Sequence, residues 1–168
     1  MLRAVNDTST HRAGRFDGRP GSGSWAWRGD ELFDERGIMI ADVRAEVLRA
    51  DRHRLLLERS PARMSFSLRG TAVDGTVYLL TQSSFTVAHL EADCQGRRYA
   101  LTRHKPWRKE RIITDLGSGD RVARVRPRFD GTVELDGGSG LENVHLLDMA
   151  FMSFGCKLVD SPGHNLRI

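Results

Sequence analysis

Residues 97–111 hold seven Lys/Arg (Arg97, Arg98, Arg103, Lys105, Arg108, Lys109, Arg111) against one acid, Glu110, with Trp107 among them. Cations clustered around an indole suit an anionic surface. The charges meet lipid phosphate and the ring sits at headgroup level. Each Lys/Arg near such a surface contributes about 1 kcal/mol, so a segment charge of +6 is enough for loose attachment. The same side chains suit nucleic acid, with arginines on phosphates and Trp107 stacked on a base. They also suit a solvated hairpin whose Trp107 packs against its own domain. These eight residues form the candidate anionic-ligand site, and the three readings stand side by side at this point.

Two smaller constellations accompany it. Arg124, Arg126 and Arg128 recur at every second residue and share one face of a strand with Val122, while Ala123 and Val125 point inward. If that strand pairs with residues 110–114, its arginines extend the basic patch. Otherwise they line a solvated outer wall. His145 and Asp148 stand three apart in an apolar run, hence on one helical face. A dry Asp148 must be paired or protonated, and one arginine would suffice. An acid–base couple is the alternative.

Enzymatic chemistry finds little else. The chain has no G-x-S-x-G, no P-loop and no Rossmann glycine pattern after a strand. Cys94, in an expected turn, and Cys156, in the apolar run, form neither a disulfide framework nor a zinc site, which needs close ligand spacings. The expectation is a non-enzymatic binding module without metal or cofactor. A protein-interaction scaffold is the further alternative.

The elements that must position these residues are mostly strands. Residues 1–23 are polar and Gly-rich and read as a flexible tail, and they lack the apolar core of a secretory signal. Two reduced thiols and the absence of a leader favour a cytoplasmic protein, peripheral to a membrane at most. Residues 24–168 read as one domain. Trp25 and Trp27 alternate with small residues. Positions 41–47 alternate as a single half-buried strand. Further strands are expected near 55–57, 64–68, 77–80, 85–90, 99–102, 110–114, 121–125 and 133–135, with turn signals such as Asp74-Gly75 and Asp130-Gly131 between them. Such spacing indicates an all-β barrel or sandwich.

Residues 141–159 break the pattern. Ser139 and Glu142 form a capping-box signal, and the helix that follows, expected over 141–157, is apolar on nearly every face. It is shorter than the roughly 20 residues a bilayer needs, so it is expected inside the protein, not as a transmembrane segment.

The strand Tyr99-Ala100-Leu101-Thr102-Arg103, the basic turn around Trp107, the Asp-Gly hairpin and the apolar terminal helix together resemble the tubby C-terminal-like superfamily. This group includes tubby proteins, phospholipid scramblases, LURP-one-related proteins and small bacterial members. The resemblance implies a closed antiparallel β-barrel of about twelve strands, a closure that leaves no free sheet edge, around a central hydrophobic C-terminal helix. It further implies phosphoinositide headgroup binding through surface Lys and Arg, for which Lys109-Glu110-Arg111 offers a Lys-x-Arg on a strand. The proline-rich region, cysteine cluster and C-terminal membrane helix of scramblases have no counterpart here, and no acidic calcium loop can be matched.

Overall fold

Strand alternation carries through the chain. In a computed structural model, which describes residues 24–60, 65–138, 140 and 143–161, twelve strands follow one another. They are β1 (Ser24–Arg28), β2 (Glu31–Phe33), β3 (Met39–Arg44), β4 (Val47–Ala50), β5 (His53–Arg59) and β6 (Ser67–Ala72). After them come β7 (Val77–Gln82), β8 (His89–Cys94), β9 (Arg97–Arg103), β10 (Arg111–Asp115), β11 (Arg121–Pro127) and β12 (Val133–Gly137). Each pairs antiparallel with its chain neighbours. β1 closes the ring on β12, with Trp25 opposite Leu135 and Trp27 opposite Val133. The expected tail, 1–23, lies outside the described residues.

The chain ends in α1 (Leu146–Asp160). Every residue from Leu147 to Lys157 is buried, so no face of the helix meets water. Strands from opposite sides of the ring touch it. Trp27 of β1 donates its Nε1–H to Ser153 Oγ at 2.9 Å, and Tyr78 of β7 meets Phe151 edge-on with ring centroids 5.6 Å apart. Arg97 and Arg111, of β9 and β10, hold its two ends. The helix therefore fills the barrel, and the expected architecture is observed.

Small residues make the fit possible. Gly155 costs about 1 kcal/mol of helix propensity relative to Ala, but a Cβ there would overlap Leu80 Cδ2. Gly70 of β6 leaves the space into which Phe151 and Leu55 pack, each 3.1 Å from where a Cβ would sit.

Local details differ from the sequence expectation. The alternation over 41–47 is not one strand: Ala45 and Glu46, at φ 47 and 64, form a two-residue turn that folds β3 onto β4. Residues 85–88 form a loop, and the strand begins at His89. Cys94 is the buried last residue of β8 and not part of a turn. Val122 is buried beside Ala123 because the β10–β11 register shifts, with Ile113 opposite Ala123 but Thr114 opposite Arg121. That bulge turns two consecutive side chains inward. The helix starts at Leu146 after His145, which gives no side-chain cap. Ser139 and Glu142, the expected capping box, lie outside the described residues.

Strand direction alternates, so the hairpin tips divide between two rims. The β2–β3, β4–β5, β6–β7, β8–β9 and β10–β11 turns surround the start of the helix. The β1–β2, β3–β4, β5–β6, β7–β8, β9–β10 and β11–β12 connections surround its end.

Candidate functional site

The barrel separates the eight candidate cations and aromatic residues by strand parity. β9 has Tyr99 and Leu101 inward, and at each of its ends an arginine reaches for the helix. Arg97 forms a two-pronged pair with Asp148, Nε to Oδ2 at 2.7 Å and Nη2 to Oδ1 at 3.0 Å, and also donates to Tyr78 Oη at 3.2 Å. Arg103 donates to Asp160 Oδ1 at 2.7 Å. Arg111 is 0% exposed. Its Nε and Nη2 hold the same Asp160 carboxylate, and its Nη1 faces the carbonyls of Ala88 and Leu101 at 3.4 Å. These three arginines are anchors of the helix. Arg98 is exposed but paired with Glu91 at 3.1 Å.

Four candidates remain together, on the loop between β9 and β10. His104 to Lys109 are all exposed, and Trp107 is 76% exposed. Lys105 Nζ stands 5.7 Å from the Trp107 ring centroid, a cation–π contact that holds charge and indole together at the tip. Among the described residues, Lys105, Arg108 and Lys109 join no ion pair. The nearest acid in sequence, Glu110, turns back to Arg124 at 3.4 Å. The Lys-x-Arg of residues 109–111 is not displayed on a strand face: Lys109 is in the loop, and Arg111 opens β10 pointing inward.

The arginines of β11 and Arg128 just after it do not extend this patch. Arg124 meets Glu110, Arg126 meets Asp136 and Glu134, and Arg128 meets Glu134 at 2.7 Å, a bond that raises the Arg128 pKa. They form the paired outer wall. Asp148 takes its hydrogen bonds from Arg97 and from the Tyr99 hydroxyl at 2.8 Å, while His145 stands exposed at the helix entry. It is a satisfied buried carboxylate.

Two further exposed aromatics share the helix-exit rim. Phe85 tips the β7–β8 loop and Phe129 the β11–β12 loop, and both rings are fully exposed. Sequence reasoning missed them, because Phe85 read as the start of a strand and Phe129, before the Asp130-Gly131 turn, was given no role. The signal was an aromatic residue inside a polar loop, as in Ser83-Ser84-Phe85-Thr86 and Arg128-Phe129-Asp130. At the opposite rim, a cleft of about 850 Å³ is lined by Arg52, His53, Asp74, Tyr78, Arg97 and His145, among others. Two of its lining groups are already joined: Arg97 donates to Tyr78 Oη and holds Asp148.

Protonation follows burial. Burial, then the Asp148 charge, pushes the Tyr78 hydroxyl from 10.0 to about 12, and burial pushes the Cys156 thiol from 9.0 to about 12. Tyr99 and Cys94 move the same way for the same reasons. Each folded value lies above the unfolded one, so the unfolded chain loses these protons first as pH rises. Their contribution to stability is complete below pH 9.0 and is lost progressively towards about 12. The urea midpoint is expected to fall through that window. A midpoint that stays level there would contradict this assignment.

Among the described residues, no group of His, Cys, Asp or Glu side chains gathers as metal ligands would, and no helix is long and apolar enough to cross a membrane. Comparison with protein-family models, with curated proteins and with solved structures finds no match to this chain.

Proposed function

We propose that this protein is a non-enzymatic module that attaches to anionic lipid surfaces through the β9–β10 loop. One observation carries the reading: Lys105, Arg108 and Lys109 stand exposed around a 76% exposed Trp107 and take no acidic partner among the described residues. A solvated structural loop gains nothing from an exposed indole, whereas an interface accommodates both the ring and the charges. The filled barrel interior supports a surface role over an internal substrate site. The closed twelve-strand ring around a C-terminal helix is also the support for reading the chain as a small member of the tubby C-terminal-like superfamily.

The test is co-sedimentation with phosphatidylserine-containing and neutral vesicles, beside a DNA-binding assay at matched salt. Wild-type protein is expected on the anionic vesicles. Replacing Lys105, Arg108 and Lys109 together with Gln removes about 3 kcal/mol, roughly two orders of magnitude in affinity. The fold should be untouched, since these side chains join no ion pair among the described residues. Equal binding to neutral vesicles, or binding to DNA alone, would rule the proposal out.

A further inference from the structure

The two aromatics outside the basic loop give its rim a shape. Phe85, Trp107 and Phe129 occupy the tips of three successive loops, β7–β8, β9–β10 and β11–β12, all on the helix-exit rim. Successive tips are two strands apart, so at strand spacings near 4.8 Å they follow one another at about 10 Å. One bond joins the first two: the Arg103 amide, at the end of β9, donates to the Ala88 carbonyl of the β7–β8 loop at 2.9 Å. Rings this exposed at three neighbouring tips are costly in water, and each would bury its area in one interfacial plane.

Charge marks which side of the rim faces that plane. The aromatic half carries Lys105, Arg108 and Lys109; of its acids, Glu110 and Glu134 are paired with arginines and Asp130 stays exposed beside Phe129. Asp130 accepts the Thr132 amide at 2.9 Å, and Glu134 holds Arg128 at 2.7 Å. The β1–β2 and β3–β4 turns, across the rim, carry Asp30 and Glu46 and no aromatic tip. Asp30 already pairs with Lys157 at 2.9 Å.

We infer that Phe85, Trp107 and Phe129 form a three-point insertion surface that enters the interfacial zone of an anionic bilayer, tilting the barrel so that its β7–β12 side faces the membrane. This rests on the lipid reading above and adds to it: charge brings the rim to the surface, and ring burial holds it there. Screening shortens to about 3 Å at 1 M salt, which removes the charge contribution but not the ring contribution.

The experiment compares wild type with Phe85→Ser/Phe129→Ser on vesicles of phosphatidylcholine and phosphatidylserine, at low salt and near ~1 M salt. Both rings are fully exposed, so the double variant should melt with wild type. Wild type is expected to keep part of its binding at high salt. The double variant is expected to lose roughly tenfold per ring and to detach at high salt. Trp107 supplies a second readout, since Trp25 and Trp27, the other two of three tryptophans, are buried. Lipids brominated near the headgroup should quench it on binding. Wild type that binds without quenching, and with the salt profile of the double variant, would overturn insertion and leave charge-driven attachment standing. Wild type that binds no anionic vesicle would overturn both.

Discussion

Arg111→Ala destabilises the protein by about 3–5 kcal/mol, the range for removing one partner of a buried ion pair. For a domain with a total stability of about 5–15 kcal/mol, that approaches loss of the fold. Arg111 is 0% exposed, and its guanidinium spans both oxygens of Asp160, itself 2% exposed, while facing two carbonyls. Truncation leaves a carboxylate in the dry barrel end held by Arg103 alone, at 2.7 Å. Arg103→Ala is milder, because Arg111 keeps its two-pronged hold and the Arg103 side chain already reaches water at 15% exposure. Lys at position 111 recovers only part of the loss, since a point charge cannot span two carboxylate oxygens and two carbonyls. Urea denaturation of the three variants gives the order Arg111→Ala, Arg111→Lys, Arg103→Ala, from most to least damaged. A milder Arg111→Ala than Arg103→Ala would defeat the account.

This anchor shows where sequence reading reached and where it stopped. The barrel and its filling helix were legible because both leave periodic marks: alternation in strands such as residues 133–135, and apolar residues on every side of the helix from Leu147 to Cys156. The turn at Ala45-Glu46 was not. Its left-handed backbone is usually marked by Gly, Asn or Asp, and here it is imposed on Ala and Glu by the pairing of β3 with β4. The basic run was legible as charge but not as geometry. Whether an arginine lies inside or outside depends on strand parity and on a carboxylate 49 to 51 residues away, as for Arg111 with Asp160 and Arg97 with Asp148. Of the charged candidates, the loop residues Lys105, Arg108 and Lys109 stay exposed and outside any ion pair among the described residues, because no strand register constrains them.

At the other end of the helix, Asp148→Asn gives the second large effect and a readout that separates charge from shape. Asp148 is fully buried in the first helical turn, where a carboxylate also complements the helix dipole. Its oxygens take Arg97 twice and Tyr99 once. Asn preserves volume and one acceptor but removes the charge, so Arg97 loses the pairing that raises its pKa. Arg97 is about one-third exposed and can turn partly to water, which puts the cost near the lower end of the buried-pair range, about 3 kcal/mol. The chain has two tyrosines, Tyr78 and Tyr99, and the Asp148 charge raises both hydroxyls, second only to burial. Removing that charge must therefore ease phenolate formation. In Asp148→Asn the folded-state absorbance titration of Tyr78 moves down from about 12 but stays above 10.0, because burial, the larger cause, is unchanged. Loss of stability with no downward movement of the phenol titration would mean that Asp148 acts through shape alone, and the electrostatic latch between helix and barrel would have to be abandoned.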